Sequence, residues 1–286
     1  MKRVLITGAN SYVGTNVEKW LMKEPENFYV ETLDMRDPNW KHFDFSKFDV
    51  VVHVAGIAHI KETNKNRYLY FKVNRDLAVE TAIKAKESGV EHFIFLSSMS
   101  VYGKVTGTIN AETIPKPKDA YGKSKLEAER LISEIQNDAF KVLVLRPPMI
   151  YGANSPGNFQ KLSKVAKIIP IFPSVKNYRS MLFIGNLARF IEFYITNKSI
   201  GVRFPQNEKY VSTTHLIELI RRNHNMKMRK SIVLGSVVKC ALSLSISLKK
   251  IYGNLTYSSE IDKIDLIEFE ETIKLTEISF DKKEIQ

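Results

Sequence analysis

Cysteine is almost missing from this chain: Cys240 is the single one among 286 residues. An intramolecular disulfide is therefore excluded, and a reducing, cytoplasmic setting is expected. No apolar run is long enough to span a bilayer. The basic start Met1-Lys2-Arg3 precedes an apolar stretch that breaks at Gly8, so no secretory signal is expected. Internal repeats and low-complexity linkers are lacking as well. His53, His59, His92, His215 and His224 show none of the paired spacings of a metal site, and no metal is expected. Acidic residues are outnumbered, 31 against 43 Lys and Arg, for a net charge of +12. Such a balance attracts anionic nucleotides, nucleic acid or an anionic membrane surface. The basic residues are dispersed except for a cluster from Arg221 and Arg222 to Lys230. No aromatic platform alternates with that cluster, so nucleic-acid binding is not expected.

What is present begins with Val4-Leu5-Ile6, a short apolar run of the kind that forms a buried parallel strand. It runs into Thr7-Gly8-Ala9-Asn10-Ser11-Tyr12-Val13-Gly14 and then a helical stretch from Thr15 to Lys23. A strand, a glycine turn and a helix N-terminus together present backbone amides to a pyrophosphate. Serine holds the middle position of Gly8-x-x-Ser11-x-x-Gly14; its Cβ crowds a phosphate, whereas its hydroxyl can bond one. A second strand, Tyr29 to Leu33, ends in Asp34. A carboxylate there accepts both ribose hydroxyls and favours NAD, while Arg36 suits the 2′-phosphate of NADP; Asp34 also reads as a plain turn residue. Further strands fall at Asp49–Ala55, His92–Leu96 and Lys141–Arg146, with a helix from Val73 to about Ser88. Strands alternating with helices predict an α/β fold, a Rossmann-like, doubly wound parallel sheet with helices on both faces.

Tyr121 and Lys125 in AYGKSK, with Ser98 upstream in FLSSMSVYG, carry the chemistry. Residues four apart share a helix face, so phenol and ammonium can point into one site. A free tyrosine has a pKa of roughly 10. Bringing it to neutral pH takes about 3 units, on the order of 4 kcal/mol, which a close cation in a dry cleft supplies. A tyrosine so tuned exchanges a proton with a substrate hydroxyl. The same spacing also occurs on exposed faces of basic helices, and the surrounding motifs decide between the two.

Those motifs are TGANSYVG at 7–14, HVAG at 53–56, VN at 73–74, SSMSVYG at 97–103, YGKSK at 121–125 and LRPPMIYG at 145–152. In this order the chain resembles the extended short-chain dehydrogenase/reductases, in their nucleotide-sugar epimerase/dehydratase branch, over roughly residues 1 to 215. The resemblance implies a catalytic set of Ser98, Tyr121 and Lys125. It implies a cofactor path along Gly8, Asn10, Ser11, Tyr12, Val13, Gly14, Asp34, Arg36, Asp44, Phe45, Val54, Ala55, Gly56, Asn74, Ser97 and Pro148, with Tyr121 and Lys125 touching the nicotinamide half. NAD is the implied cofactor, NADP the alternative. Dehydratases of the branch carry an acidic pair beside the serine; Ser98-Met99-Ser100 has none. Reversible hydride transfer at C4 is then implied, as 4-epimerase or 4-ketoreductase, on a UDP-hexose or UDP-N-acetylhexosamine for surface polysaccharide biosynthesis.

In the second half the resemblance implies that Asn158 of PGNF and Arg179 of NYRSMLFIGNL hold the nucleotide diphosphate, with Ser98, Ser100, Tyr121 and Tyr252 lining the sugar site. Asn158 also reads as a helix cap, Asn186 stands where the family commonly has aspartate, and Met149 where epimerases commonly have asparagine. A cofactor domain of 1–152 with 178–203 and a substrate lobe of 153–177 with 204–286 are expected, in a homodimer. Val233 to Leu248 is apolar between Lys230 and Lys249-Lys250; it reads as a packed lobe helix or as a weak membrane-surface contact. The stretch from Ile261 to Gln286 carries no recognisable motif and looks short. A non-catalytic sensor or nucleic-acid-binding module on the same fold is the alternative function.

Overall fold

The strands are β1 (Lys2–Thr7), β2 (Phe28–Leu33), β3 (Val50–His53), β4 (His92–Leu96), β5 (Gly107–Ile109), β6 (Lys141–Leu145), β7 (Met149–Tyr151), β8 (Ile171–Pro173), β9 (Met181–Phe183), β10 (Gly201–Arg203), β11 (Arg229–Ser231) and β12 (Leu255–Tyr257). The helices are α1 (Tyr12–Leu21), α2 (Arg67–Tyr70), α3 (Leu77–Glu87), α4 (Ala120–Glu134), α5 (Asn158–Ile168), α6 (Ile184–Thr196), α7 (Thr213–Asn223), α8 (Ile232–Ala241), α9 (Ile246–Tyr252) and α10 (Phe269–Glu284). This computed structural model describes residues 1–58, 60–258 and 262–284. His59 and the start of the C-terminal stretch at Ile261 lie outside the described residues, as does its last pair.

Two units form. The first comprises Met1–Gly103, Ile114–Pro148 and Leu187–Pro205. Its six-stranded sheet has the order β10-β6-β4-β3-β1-β2, all parallel. Strands such as VVVH and KVLVL are apolar at successive positions because helices cover both faces of a parallel sheet. On one face Leu5, Val51, Phe93, Phe95, Val142 and Val144 form a cluster with Ala78, Ala82 and Ala85 of α3 and Ala128 and Ile132 of α4. The three alanines recur at helical spacing and let α3 lie close to the strands. Burying each larger side chain contributes roughly 1.5–3 kcal/mol.

Register brings the strand ends level: Thr7 pairs with Leu33 and His53, His53 with Phe95, and Leu145 with Leu96 and Arg203. Gly8, Asp34, Val54, Ser97 and Arg146 therefore follow their strands at one carboxyl edge. The chain passes from β1 to β2 on one side and then to β3 on the other. That reversal opens a crevice above β1 and β3, where such sheets bind ligands.

The second unit comprises Lys104–Thr113, Met149–Asn186 and Gln206–Gln286. It holds three two-stranded parallel pairs, β5 with β12, β7 with β9 and β8 with β11. Residues 104–113, 149–152 and 178–186, placed by the sequence with the cofactor domain, group here instead. The pairings of β5 with β12 and of β7 with β9 account for the difference. The apolar segment Val233 to Leu248 is not one helix, and it packs on its unit through one side only. It divides into α8 and α9, and Gly235 is the buried residue of α8.

Candidate active site

The turn after β1 fits a dinucleotide diphosphate. Gly8 has a φ of +118°, and a Cβ there would lie 2.9 Å from the Ala55 nitrogen, so glycine is required for β1 and β3 to stay this close. Gly14 meets the same limit, with a Cβ position 2.6 Å from the Gly8 carbonyl oxygen. Ser11 caps α1: its Oγ accepts from the Gly14 amide at 3.0 Å. The hydroxyl proton stays available to a phosphate, which reconciles serine with the usual glycine. No acidic residue sits in the first turn of α1, so the helix dipole presents an unopposed positive end. Asn10 takes the left-handed conformation, while Tyr12 and Val13 begin the helix.

At the end of β2, Asp34 and Arg36 are paired with each other. The guanidinium Nη2 lies 2.7 Å from Asp34 Oδ2, and the Arg36 amide also donates to the carboxylate at 2.9 Å. These bonds hold the Asp34 carboxyl down at about 2. Asp44 caps the turn that buries Phe45, its carboxylate accepting from the Ser46 amide at 3.0 Å. Val54 and Ala55 continue the edge, both buried, and their amides donate to the Thr7 carbonyl.

Asn74 is fully buried in a π-helical turn, Phe71–Asp76, that links α2 to α3. Its side-chain amide spans the Ile57 backbone, accepting at 2.8 Å and donating at 3.0 Å. Gly56 lies beneath it: a Cβ there would be 2.9 Å from Asn74 Oδ1 and 3.3 Å from Lys125 Nζ. The helix expected from Val73 thus begins earlier, at Arg67, and carries an extra-residue turn at the site.

Ser98 caps the 3₁₀ turn Met99–Tyr102. Its Oγ accepts from the Ser100 amide at 3.1 Å and donates to Ser100 Oγ at 3.2 Å. Helix α4 arrives over this turn, capped by Asp119, whose carboxylate accepts from the Gly122 amide. Gly122 permits the approach, since a Cβ would lie 2.6 Å from the Ser100 carbonyl oxygen. Tyr121 stacks edge-on against Tyr70, with ring centroids 6.3 Å apart. Its phenol does not show the lowered pKa that the sequence suggested. Burial pushes it up, Asp119 and Tyr70 add to the rise, and the nearby Ser98 hydroxyl opposes it. Lys125 does not act on the phenol here because its ammonium donates to the Leu96 carbonyl at 2.8 Å and lies 4.6 Å above the Phe95 ring. Burial lowers Lys125 to about 8, against the attraction of Glu129.

Behind this set lies a buried network. Arg146 Nε donates to Glu129 at 3.1 Å and its Nη1 to Tyr102 Oη at 2.7 Å, while Ser97 Oγ donates to Glu129. Glu129 and Gly122 were not among the site residues read from the sequence. Glu129 repeats the four-residue spacing of Tyr121 and Lys125, a signal that was present. Pro148 is buried beyond β6. Among the described residues no group of His, Cys, Asp and Glu converges to hold a metal ion.

In the second unit Asn158 is exposed at the first position of α5, with Gly157 rather than Asn158 as the cap. Arg179 is half-buried and donates from Nη1 to the Gly253 carbonyl at 2.9 Å. Tyr252 is buried at the end of α9. Asn186 is fully buried; it donates to Ile267 O and Asn207 Oδ1 and accepts from the Ile267 amide. An aspartate could make only the last of these bonds, which explains asparagine there.

Known proteins place this arrangement. The model of the NAD dependent epimerase/dehydratase family matches residues 4–210. A UDP-glucose 4-epimerase of Vibrio cholerae is 32% identical over 66% of this chain and 65% of its own length. An N-acetyl-alpha-D-glucosaminyl-diphospho-ditrans,octacis-undecaprenol 4-epimerase of Escherichia coli O157:H7 is 30% identical over 69% of this chain and 64% of its own. The matches therefore span just under two thirds of these relatives. The fold agrees with a solved UDP-glucuronic acid 4-epimerase of Bacillus cereus in complex with NAD, at a TM-score of 0.75 and 17% identity over 98% of this chain and 96% of that one. Motif order, sheet topology and family model agree, and the chain belongs to the NAD dependent epimerase/dehydratase family.

Proposed function

We propose that this protein is an NAD(P)-dependent nucleotide-sugar 4-epimerase or 4-ketoreductase. The observation that carries the reading is the placement of Ser98 at the carboxyl edge of the sheet, under a helix α4 that Gly122 lets approach and that carries Tyr121 and Lys125 four residues apart on one face. When bound, the nicotinamide supplies the acceptor or donor of hydride at the sugar carbon. Tyr121 exchanges the proton of the C4 hydroxyl, and Ser98 donates to the same oxygen to steady developing charge. Lys125 holds the nicotinamide ribose. Its charge then lowers the phenol, offsetting the rise that burial imposes. The turn from Gly8 to Gly14 holds the diphosphate, and Asp34 or Arg36 the adenosine ribose. Asn158, Arg179 and Tyr252 of the second unit take the UDP-sugar, and Ser98 and Ser100 its ring. The first unit is the cofactor domain and the second the substrate lobe. A homodimer working in the cytoplasm completes the reading.

The test pairs two reactions. One offers a UDP-4-keto-6-deoxy-N-acetylhexosamine with NADH or NADPH; the other offers UDP-glucose or UDP-N-acetylglucosamine with NAD. Stoichiometric loss of reduced nicotinamide identifies a ketoreductase, and a C4 epimer formed without net cofactor use identifies an epimerase. Tyr121→Phe should cost about 10²–10⁴-fold in turnover and leave dinucleotide binding intact. Dinucleotide binding without turnover in the parent protein would favour the sensor instead.

A second reading keeps the reaction and replaces uridine by a polyprenol beyond the diphosphate. The exposed apolar side chains of α8 favour it, and such a substrate is in the name of the E. coli relative. Turnover of a polyprenyl-diphosphate N-acetylhexosamine, with UDP-N-acetylglucosamine inert, would select it.

A further inference from the structure

Helices α8 and α9 leave an apolar face in the open. Ile232 is 77% exposed, Val233 74%, Val237 59%, Leu244 88% and Ile246 66%. On α8, positions 232, 233 and 237 lie on one side of the helix. Gly235 lies on the other, where a Cβ would fall 2.3 Å from the Ser174 carbonyl oxygen. The helix thus rests its glycine on the backbone of its own unit and turns its branched side chains outward. Single exposed apolar residues are ordinary, but five between positions 232 and 246 mark a surface that is covered by something.

Charge says what covers it. From Leu219 to Ser258 the chain carries eight Lys and Arg and no Asp or Glu. Arg221 is spent internally on the carbonyls of Ala166 and Ile169. Lys230 pairs with Glu218 at 2.7 Å, but Arg222, Lys227, Arg229, Lys239 and Lys250 are exposed, so basic groups precede, interrupt and follow the apolar face. An open groove of about 380 Å³ adjoins it, with Lys176, Lys239, Lys249, Ser243 and Asn254 among its lining residues and no carboxylate. At 10 and 7 residues, with Ser231 and Ser245 capping each N-terminus, the two helices are far too short to cross a bilayer, which takes about 20. Short apolar helices with basic flanks lie in the interfacial plane instead.

We propose that α8 and α9 dock this protein on an anionic lipid surface. Ile232, Val233, Val237, Leu244 and Ile246 enter the headgroup boundary, and the lysines of the groove meet lipid phosphates. This holds whether the sugar substrate is water-soluble or lipid-linked.

Cys240, exposed on the same side of α8 and the single cysteine of the chain, gives a native reporter. The full chain, labelled there with an environment-sensitive fluorophore, would be mixed with vesicles of phosphatidylglycerol and phosphatidylcholine, or of phosphatidylcholine alone, and sedimented. The expected result is co-sedimentation and a blue-shifted signal with the anionic vesicles, weakened by salt. Substituting serine at Ile232, Val233 and Val237 together should reduce partitioning at least about tenfold. Lys239→Gln should reduce it about fivefold. All these side chains are exposed, and unchanged melting of each variant would show that the fold survives. No binding to anionic vesicles, or equal binding to neutral ones, overturns the proposal. So does a self-association, seen by sedimentation velocity, that the serine triple variant abolishes, since a second copy would then cover the face.

Discussion

At the scale of single residues, the proposed adenosine-ribose contacts, Asp34 and Arg36, make a testable prediction about which dinucleotide is preferred. Each group is the other's partner in this structure, so neither is held ready for its own ligand. NAD needs the carboxylate to accept ribose hydroxyls, which it can do while keeping Arg36. NADP needs the guanidinium to leave a carboxylate 2.7 Å away and meet a phosphate instead. Asp34→Ala removes that competitor. The ratio of kcat/KM for NADPH over NADH should rise roughly 10–100-fold, the range of one charge-assisted hydrogen bond. Arg36→Ala added to it should cancel the gain, and a ratio unmoved by either change would place the 2′ position elsewhere. Both residues could be read from the sequence because they follow a strand at a fixed distance from the glycine turn. Ser98, Tyr121 and Lys125 were legible for the same kind of reason, a motif with helical spacing. The direction of the Tyr121 pKa was not. It depends on which carbonyl the Lys125 ammonium reaches, and spacing along one helix does not contain that.

At the scale of elements, legibility followed burial on two sides. The runs VVVH and HFIFL announce central parallel strands because successive positions, Val50 to Val52 and Phe93 to Leu96, are apolar. Three-residue strands such as β5, β10 and β12 have no such pattern and exist through their partners. Helix α10 was hidden differently. Among the described residues its buried positions, Phe269, Thr272, Ile273, Thr276 and Glu277, recur at helical period, but three of these five are polar. A search for apolar periodicity passes over them. Glu277 is 1% exposed and accepts from Ser163 Oγ at 2.9 Å and from His224 Nε2 at 2.9 Å, with Lys167 Nζ 3.5 Å away. Removing the carboxylate strips those donors of a shared acceptor in a nearly dry site. Glu277→Ala should therefore destabilise the protein by about 2–3 kcal/mol, and Glu277→Gln by less, because an amide oxygen still accepts from Ser163. Urea denaturation measures both. An alanine variant within about 0.5 kcal/mol of the parent would remove α10 as an anchor of its unit.

At the scale of the whole molecule, two buried histidines of the central sheet make stability depend on mild acid. His53 Nδ1 bonds Thr7 Oγ1 at 2.8 Å, and His92 Nε2 donates to the Ser199 carbonyl at 2.9 Å. The remaining nitrogens, His53 Nε2 and His92 Nδ1, are buried without a partner, so neither ring has an acceptor for a second proton. Burial holds His53 at about 3 and His92 at about 4, below the ordinary value near 6.5. As pH falls through about 6.5 the unfolded chain takes up a proton at each ring and the folded one does not. The unfolded state then binds more protons, and stability declines with falling pH by up to about 1.4 kcal/mol per unit for each histidine, down to about pH 4. Above about 6.5 both rings are neutral in either state and the effect vanishes. His53→Asn and His92→Gln should each flatten the decline by half while costing some stability at neutral pH. Thermal midpoints across this range decide the matter. Because Asp49 beside Arg3 and Asp34 beside Arg36 titrate below their ordinary values, their losses fall at lower pH than this. A midpoint constant from about pH 6.5 to about pH 4 would mean that the rings do reach water when protonated, and that the sheet opens at β3 and β4 far more readily than its packing implies.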